Sequence, residues 1–289
     1  MLRRAFFRVW FLHRGKAGYT LVELLVVLLI TSFMMTALTG FFRTAVAVRQ
    51  NAGAQTEAQQ GLRALASAIT QELRQAGACL PRSGTFVALG GIDNGLTDSL
   101  TLRIGLTNPT TGACLRAQIG AGGAVAGATS LAVDSTAGFG QAKRLLVASA
   151  TTGAAEVYSI TGMTATSITI SPGLLFAKPG NSRVYPLDER IYQVQTWNER
   201  TILSVQIDGG TAQPLVDGVK EFDVTYRGMP CNSLGECTVL AQPTTETAWR
   251  TVREVTIAPK IESRRKNRQG QNVNSTAADL IRIKPRNLL

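Results

Sequence analysis

One carboxylate, Glu23, heads a charge-free run of 19 residues from Leu24 to Phe42. A carboxylate taken into an apolar medium alone is costly, so its placement predicts a partner of opposite charge. The other residues able to do chemistry exclude more than they offer. The single histidine, His13, lies in the first 18 residues, which leaves the body of the chain without a Ser-His-Asp triad, a Cys-His pair or a histidine-based zinc site. No G-x-S-x-G occurs, and Ser263-Arg264-Arg265-Lys266 meets S-x-x-K only formally, with no S-D-N or K-T-G beside it. Asp93, Asp98, Asp208, Asp217 and Asp223 lack EF-hand spacing and read as turn residues bonded to their own backbone. The chain is therefore expected to be neither an enzyme nor a cofactor binder.

Four cysteines remain: Cys79, Cys114, Cys231 and Cys237. An even number on what the topology below makes the outer side favours disulfides, with three connectivities open. Cys231 and Cys237 enclose only five residues, so a local clamp is the simplest pairing, and Cys79 with Cys114 would then tie a helix end to the first β segment. A zinc site built from all four is the sharper alternative, although no C-x-x-C pair is present.

Arg264, Arg265, Lys266 and Arg268 form a basic run between the last two candidate strands. It suits phosphate contact, which makes nucleic acid a candidate partner. With Gln269-Gly270-Gln271-Asn272 following and no aromatic interleaving, a solvated loop is the plainer reading. The global charge adds little to this. Of 30 bases, Arg3, Arg4, Arg8, Arg14 and Lys16 lie in the first 18 residues, leaving 25 against 19 acids in the rest.

The elements that position these residues follow from composition and period. As a helix, the run from Leu24 to Phe42 spans roughly the 30 Å hydrocarbon core of a bilayer. Five bases precede it and only Arg43 and Arg49 follow closely, so the N-terminus is expected inside, in the cytoplasm, with the bulk of the chain outside the inner membrane. The residues after the run, Thr39 to Arg43, do not offer the small-residue cleavage site of a secretory signal. Beyond Arg43 the chain stays rich in helix formers, and Leu62, Leu65, Ile69, Leu73 and Ala76 mark one apolar stripe. Gly77 and Pro81 then stop the helix, while Gly40, Gly53 and Gly61 are weak points within it. The stripe is too short for a coiled coil and is expected to pack on a sheet.

After Cys79 the sequence turns to short alternating runs: Leu100 to Ile104, Arg190 to Trp197, Thr201 to Ile207, Phe222 to Tyr226, Val255 to Ile257 and Ile281 to Ile283. Asn198-Glu199-Arg200 reads as a hairpin loop. Residues 120–186 read as an inserted all-β module, with candidate strands at Thr129 to Asp134, Lys143 to Ser149, Ala155 to Ile160 and Thr166 to Ile170. Recognition and plain spacing are both open to it. The expected fold is α+β. It comprises a leader at 1–18, a long helix over 19–78 and a β-rich antiparallel head over 79–289, the helix having an apolar part to about residue 44 and an amphipathic part beyond.

Lys16-Ala17-Gly18-Tyr19-Thr20-Leu21-Val22-Glu23-Leu24-Leu25, with the apolar run behind it, resembles the start of a type IV prepilin over residues 15–45. The resemblance implies cleavage after Gly18 by prepilin peptidase, N-methylation of Tyr19 as the new first residue, and Glu23 as the fifth mature residue. That family usually begins with Phe or Met, so Tyr19 departs within the aromatic class. Glu23 of an incoming subunit would then neutralise its neighbour's amine inside a filament core. Leu215-Val216-Asp217-Gly218-Val219 before Phe222 to Tyr226, a strand near Val252 to Ile257, and the ending Ile281-Arg282-Ile283-Lys284-Pro285-Arg286-Asn287 look like the PilW group of minor pilins. This group is related to the J pseudopilin of type II secretion. The resemblance implies a minor pilin that initiates or caps a type IV pilus, with other pilin subunits as partners and the pilus or cell surface as destination. A secretion pseudopilin, or a surface module binding DNA or a substratum, are the alternatives.

Overall fold

The computed structural model describes residues 19–81, 84–233, 236–240, 243, 246–266, 272–276 and 281–284. The chain divides into two compact units, one ending at Gln50 and the other beginning at Asn51. Helix α1, Leu21–Gln75, runs through the boundary as a single element.

In the second unit, the last part of α1 lays Ala58, Leu65, Ile69, Leu73 and Ala76 into the main core, with Leu62 partly buried beside them. Spacings of three and four put these side chains on one face, and burial of that face holds a helix whose glycines disfavour it. The helix ends where Gly77 takes a φ of 79°, and the Gly77 N–H donates to Arg103 O at 2.9 Å. A left-handed glycine closes the last turn without a Cβ clash.

The strands in chain order are β1 (Leu89–Ile92), β2 (Ser99–Gly105), β3 (Ala117–Gln118), β4 (Ser130–Ala132), β5 (Arg144–Ala148), β6 (Ala155–Met163), β7 (Ser167–Ser171), β8 (Arg183–Trp197), β9 (Arg200–Ile207), β10 (Gln213–Asp217), β11 (Val219–Cys231), β12 (Cys237–Leu240), β13 (Val252–Lys266), β14 (Asn272–Thr276) and β15 (Ile281–Ile283). A short helix α2, Glu246–Thr251, precedes β13. The fold is α+β, and all its named strand pairs are antiparallel.

One sheet follows the order β1-β2-β8-β5-β6-β7-β4, with β3 and β9 also on β8 and β10 on β9. The 15-residue β8 makes this possible. Its first half, Arg183 to Leu187, pairs with β5 and its second half, Arg190 to Trp197, pairs with β9. Strands β3 to β7 thus share a sheet with the head while enclosing their own apolar cluster around Ile119, Leu131, Phe139, Tyr158 and Ile168. The second sheet has the order β12-β11-β13-β14, with β15 on β13. Helix residues Leu65, Ile69 and Leu73, sheet residues Leu100, Leu102, Phe222 and Ile257, and the edge-to-face pair Tyr226–Trp249 make one cluster.

Two expectations are corrected. The β8–β9 turn has two residues, since Trp197 pairs with Arg200 and only Asn198 and Glu199 lie between, with φ of 47° and 62°. Positive φ at both positions matches the twist of the flanking strands, so Arg200 joins the ladder. The basic run is not a loop throughout: β13 continues to Lys266, which pairs with Asn272, so the backbones of Arg264, Arg265 and Lys266 are strand. Arg268 lies outside the described residues.

Candidate functional site

The candidate site is the start of α1. Tyr19 and Thr20 precede the helix, and the Thr20 hydroxyl accepts the Glu23 N–H at 3.3 Å. Thr20-Leu21-Val22-Glu23 therefore has the spacing of a capping box, with Thr20 satisfying an N–H that the first turn would leave open. Glu23 sits in that first turn, where the positive end of the helix dipole favours a carboxylate. Tyr19 is 84% exposed, and Glu23 is exposed too. Gly18 lies outside the described residues.

From Leu21 to Phe42 every large apolar side chain is exposed. The hydroxyls among them turn inward on their own helix: Thr31 donates to Val27 O at 2.9 Å, Ser32 to Leu28 O at 2.7 Å, Thr36 to Ser32 O at 2.8 Å and Thr39 to Met35 O at 2.6 Å. Such internal bonding lets a polar side chain enter a water-free medium. The stretch reaches a mean hydropathy of 2.4 over 18 residues, long and apolar enough to cross a membrane. Chemically, this arrangement presents one fixed negative charge on an otherwise apolar cylinder.

Residues 13–39 match the prokaryotic N-terminal methylation motif. The chain begins as a type IV pilin-like or pseudopilin-like precursor. No curated protein matches it. The motif covers the Gly18-Tyr19 junction, Glu23 and most of the apolar run, so it falls on the helix start and on the stretch long and apolar enough to cross a membrane.

The other candidate residues of the pilin-like head fall apart into separate structural tasks. Cys79 is bonded to Cys114 and Cys231 to Cys237, which leaves no thiolate for a four-cysteine zinc site. The first bond ties the segment just past the end of α1 to the loop after β2; the second closes the β11–β12 hairpin. Asp98 is buried, accepting the N–H groups of Val224 at 2.8 Å and Asn94 at 3.0 Å. Burial outweighs those donors and raises its carboxyl above the ordinary carboxylate value. Asp208 is raised for the same reason while accepting the Glu189 N–H at 2.8 Å. Asp93 accepts from Gly95 N–H at 2.8 Å and Asp217 from Arg200 at 2.9 Å.

Three charged groups escaped the sequence reading. Arg190 bridges Glu72 of α1 at 2.5 Å and Asp188 at 2.6 Å. Its hydrogen bond to Asp188 holds the guanidinium charged, while burial pushes the Glu72 carboxyl up despite Arg190. Arg103 and Arg144 converge on the buried Glu189 at 2.7 and 3.2 Å. Lys178 is 1% exposed beside Glu156 at 3.2 Å. Apart from the Asp188–Arg190 pair, two residues apart on β8, the sequence carries no signal for these, because the partners arrive through strand pairing or packing distant in the chain.

Proposed function

We propose that the chain is a minor pilin of the PilW type. Prepilin peptidase cuts after Gly18, Tyr19 becomes the methylated first residue, and the apolar part of α1 holds the subunit in the inner membrane with its N-terminus in the cytoplasm before assembly. In the filament, Glu23 pairs with a neighbouring subunit's terminal amine, and the subunit initiates or caps a type IV pilus with other pilins and minor pilins.

The methylation motif carries this reading, because it runs into the part of α1, Leu21 to Phe42, whose large apolar side chains are all exposed. An exposed apolar cylinder must be covered by lipid or by like helices, and Glu23 gives the second kind of cover a reason to be in register. The disulfides support it as well, since they belong to a head delivered to an oxidising compartment.

The test is the intact mass of the protein in membranes and in sheared surface filaments, from cells with and without prepilin peptidase. A species beginning at methylated Tyr19 and recovered with filaments is expected. A full-length, unmethylated chain confined to membranes overturns the proposal. A processed chain that never enters surface filaments overturns the pilus assignment in favour of a secretion pseudopilin.

A further inference from the structure

The loop pair at the end of the β3–β7 region is built to hold apolar side chains in solvent. Val125 is 73%, Leu175 68% and Phe176 60% exposed. They lie on two segments that pair by backbone: Ala124 and Lys178 exchange N–H to O bonds at 2.7 and 2.8 Å, Gly127 donates to Leu174 O at 2.7 Å, and Leu174 donates to Ala128 O at 2.9 Å. The approach is so close that only glycine fits. A Cβ on Gly173 would lie 2.4 Å from Gly127 O, and one on Gly180 would lie 2.4 Å from Ala121 O.

A buried polar network fixes the same loop from below. The Leu175 N–H donates to the Tyr158 hydroxyl at 2.9 Å, that hydroxyl donates to Glu156, and Lys178 Nζ reaches Glu156 at 3.2 Å and Ala154 O at 3.3 Å. Burial and the Glu156 contact push the Tyr158 hydroxyl up to about 12, so it stays a donor. A buried Lys–Glu pair adds little net stability over an apolar replacement, so its use here is the geometry it imposes on Leu175 and Phe176.

We propose that this tip inserts Leu175, Phe176 and Val125 into a lipid bilayer. Three side chains expose a few hundred Å². That is well short of the roughly 800 Å² per partner that a stable protein interface buries, which argues against a second copy or another folded subunit as the occupant. Acyl chains need no matching shape and can surround a small wedge. Residues 119–133 and 157–177 contain no charged side chain, and the nearest charges, Lys178 and Glu156, are paired with each other beneath the loop, Lys178 buried, so no exposed charge on these segments steers the tip toward a charged partner. Beside the tip, the N–H groups of Ala124, Gly127, Leu174 and Lys178 are paired with backbone carbonyls, and that of Leu175 with the Tyr158 hydroxyl, which lowers the cost of bringing this backbone near lipid. The inference concerns the head and goes beyond the role of the N-terminal helix.

The full chain, held in nanodiscs through α1, is passed over immobilised phosphatidylcholine vesicles, with empty nanodiscs as blank. Chain-bearing discs should be retained. Retention should fall about ten-fold in Leu175→Ser and further in Leu175→Ser/Phe176→Ser, as expected for withdrawing one and then two large apolar side chains. It should be unchanged by salt, and unchanged in Ile92→Ser, which alters an exposed apolar residue on β1. Equal retention of the double variant, or loss of retention in high salt, overturns the proposal. Discs that bind other chain-bearing discs but not vesicles overturn it in favour of a second copy.

Discussion

Removing the bond between Cys79 and Cys114 should cost the head more than removing the bond between Cys231 and Cys237, although each replaces the same two sulfurs. The first closes a sequence separation of 35 residues and the second one of 6. Loop-closure entropy withdrawn from the unfolded chain then gives about 4 kcal/mol for the long loop and about 2 kcal/mol for the short one. Other contacts hold the native geometry at the long-loop bond. Gly77 N–H donates to Arg103 O at 2.9 Å and Gly105 N–H to Ala78 O at 2.8 Å, so α1 remains docked when the sulfurs go and the effect falls on the unfolded state. The assay is guanidinium unfolding of the detergent-solubilised chain, followed by tryptophan fluorescence, for Cys79→Ser/Cys114→Ser, Cys231→Ser/Cys237→Ser and the parent. With a guanidinium m-value of roughly 2–6 kcal/mol/M, about 4 kcal/mol corresponds to a midpoint lower by roughly 0.7–2 M. If the Cys79/Cys114 variant unfolds at the same or a higher midpoint than the Cys231/Cys237 variant, the reasoning from loop length is refuted.

Glu23→Ala should leave cleavage and methylation intact while reducing recovery in sheared filaments, as read by immunoblot of both fractions; normal recovery removes the pairing role. Gly218→Ala places a Cβ 2.2 Å from Glu262 O at a φ of 77°, which should force the link between β10 and β11 away from β13 and destabilise the head by about 3 kcal/mol or more, measured by the denaturant midpoint. Because the folded carboxyl of Asp98 is raised, the folded chain keeps a proton there at a pH where the unfolded chain has lost it. Its contribution to stability is present below about pH 4 and is lost as pH rises through the raised value. Unfolding midpoints followed upward from about pH 4, the ordinary aspartate value, should therefore decline less steeply in Asp98→Asn than in the parent, and identical slopes would sink the argument.

Local pattern made a large part of the protein readable. Glu23 before Leu24 to Phe42 is a statement about medium, which any stretch of sequence carries in its own composition. The stripe from Leu62 to Ala76 and the alternation of Phe222, Val224 and Tyr226 are periods of a single element, and they predict the buried faces because each period places side chains on one side. The α+β class followed from those two kinds of period. Tertiary structure decided what lies across the chain. Nothing in residues 183–197 announces that one strand serves both halves of a ten-stranded sheet, because strand order is a matter of long-range pairing. The left-handed pair Asn198-Glu199 drew Arg200 into β9, and β13 ran on through Arg264 to Lys266, because ladder hydrogen bonds outweighed the polar, loop-like composition of those residues. Lys178 shows the limit most clearly. Its neighbours in sequence are Ala177 and Pro179, yet it is buried against Glu156 because β6 and the loop after β7 meet only once the sheet has formed.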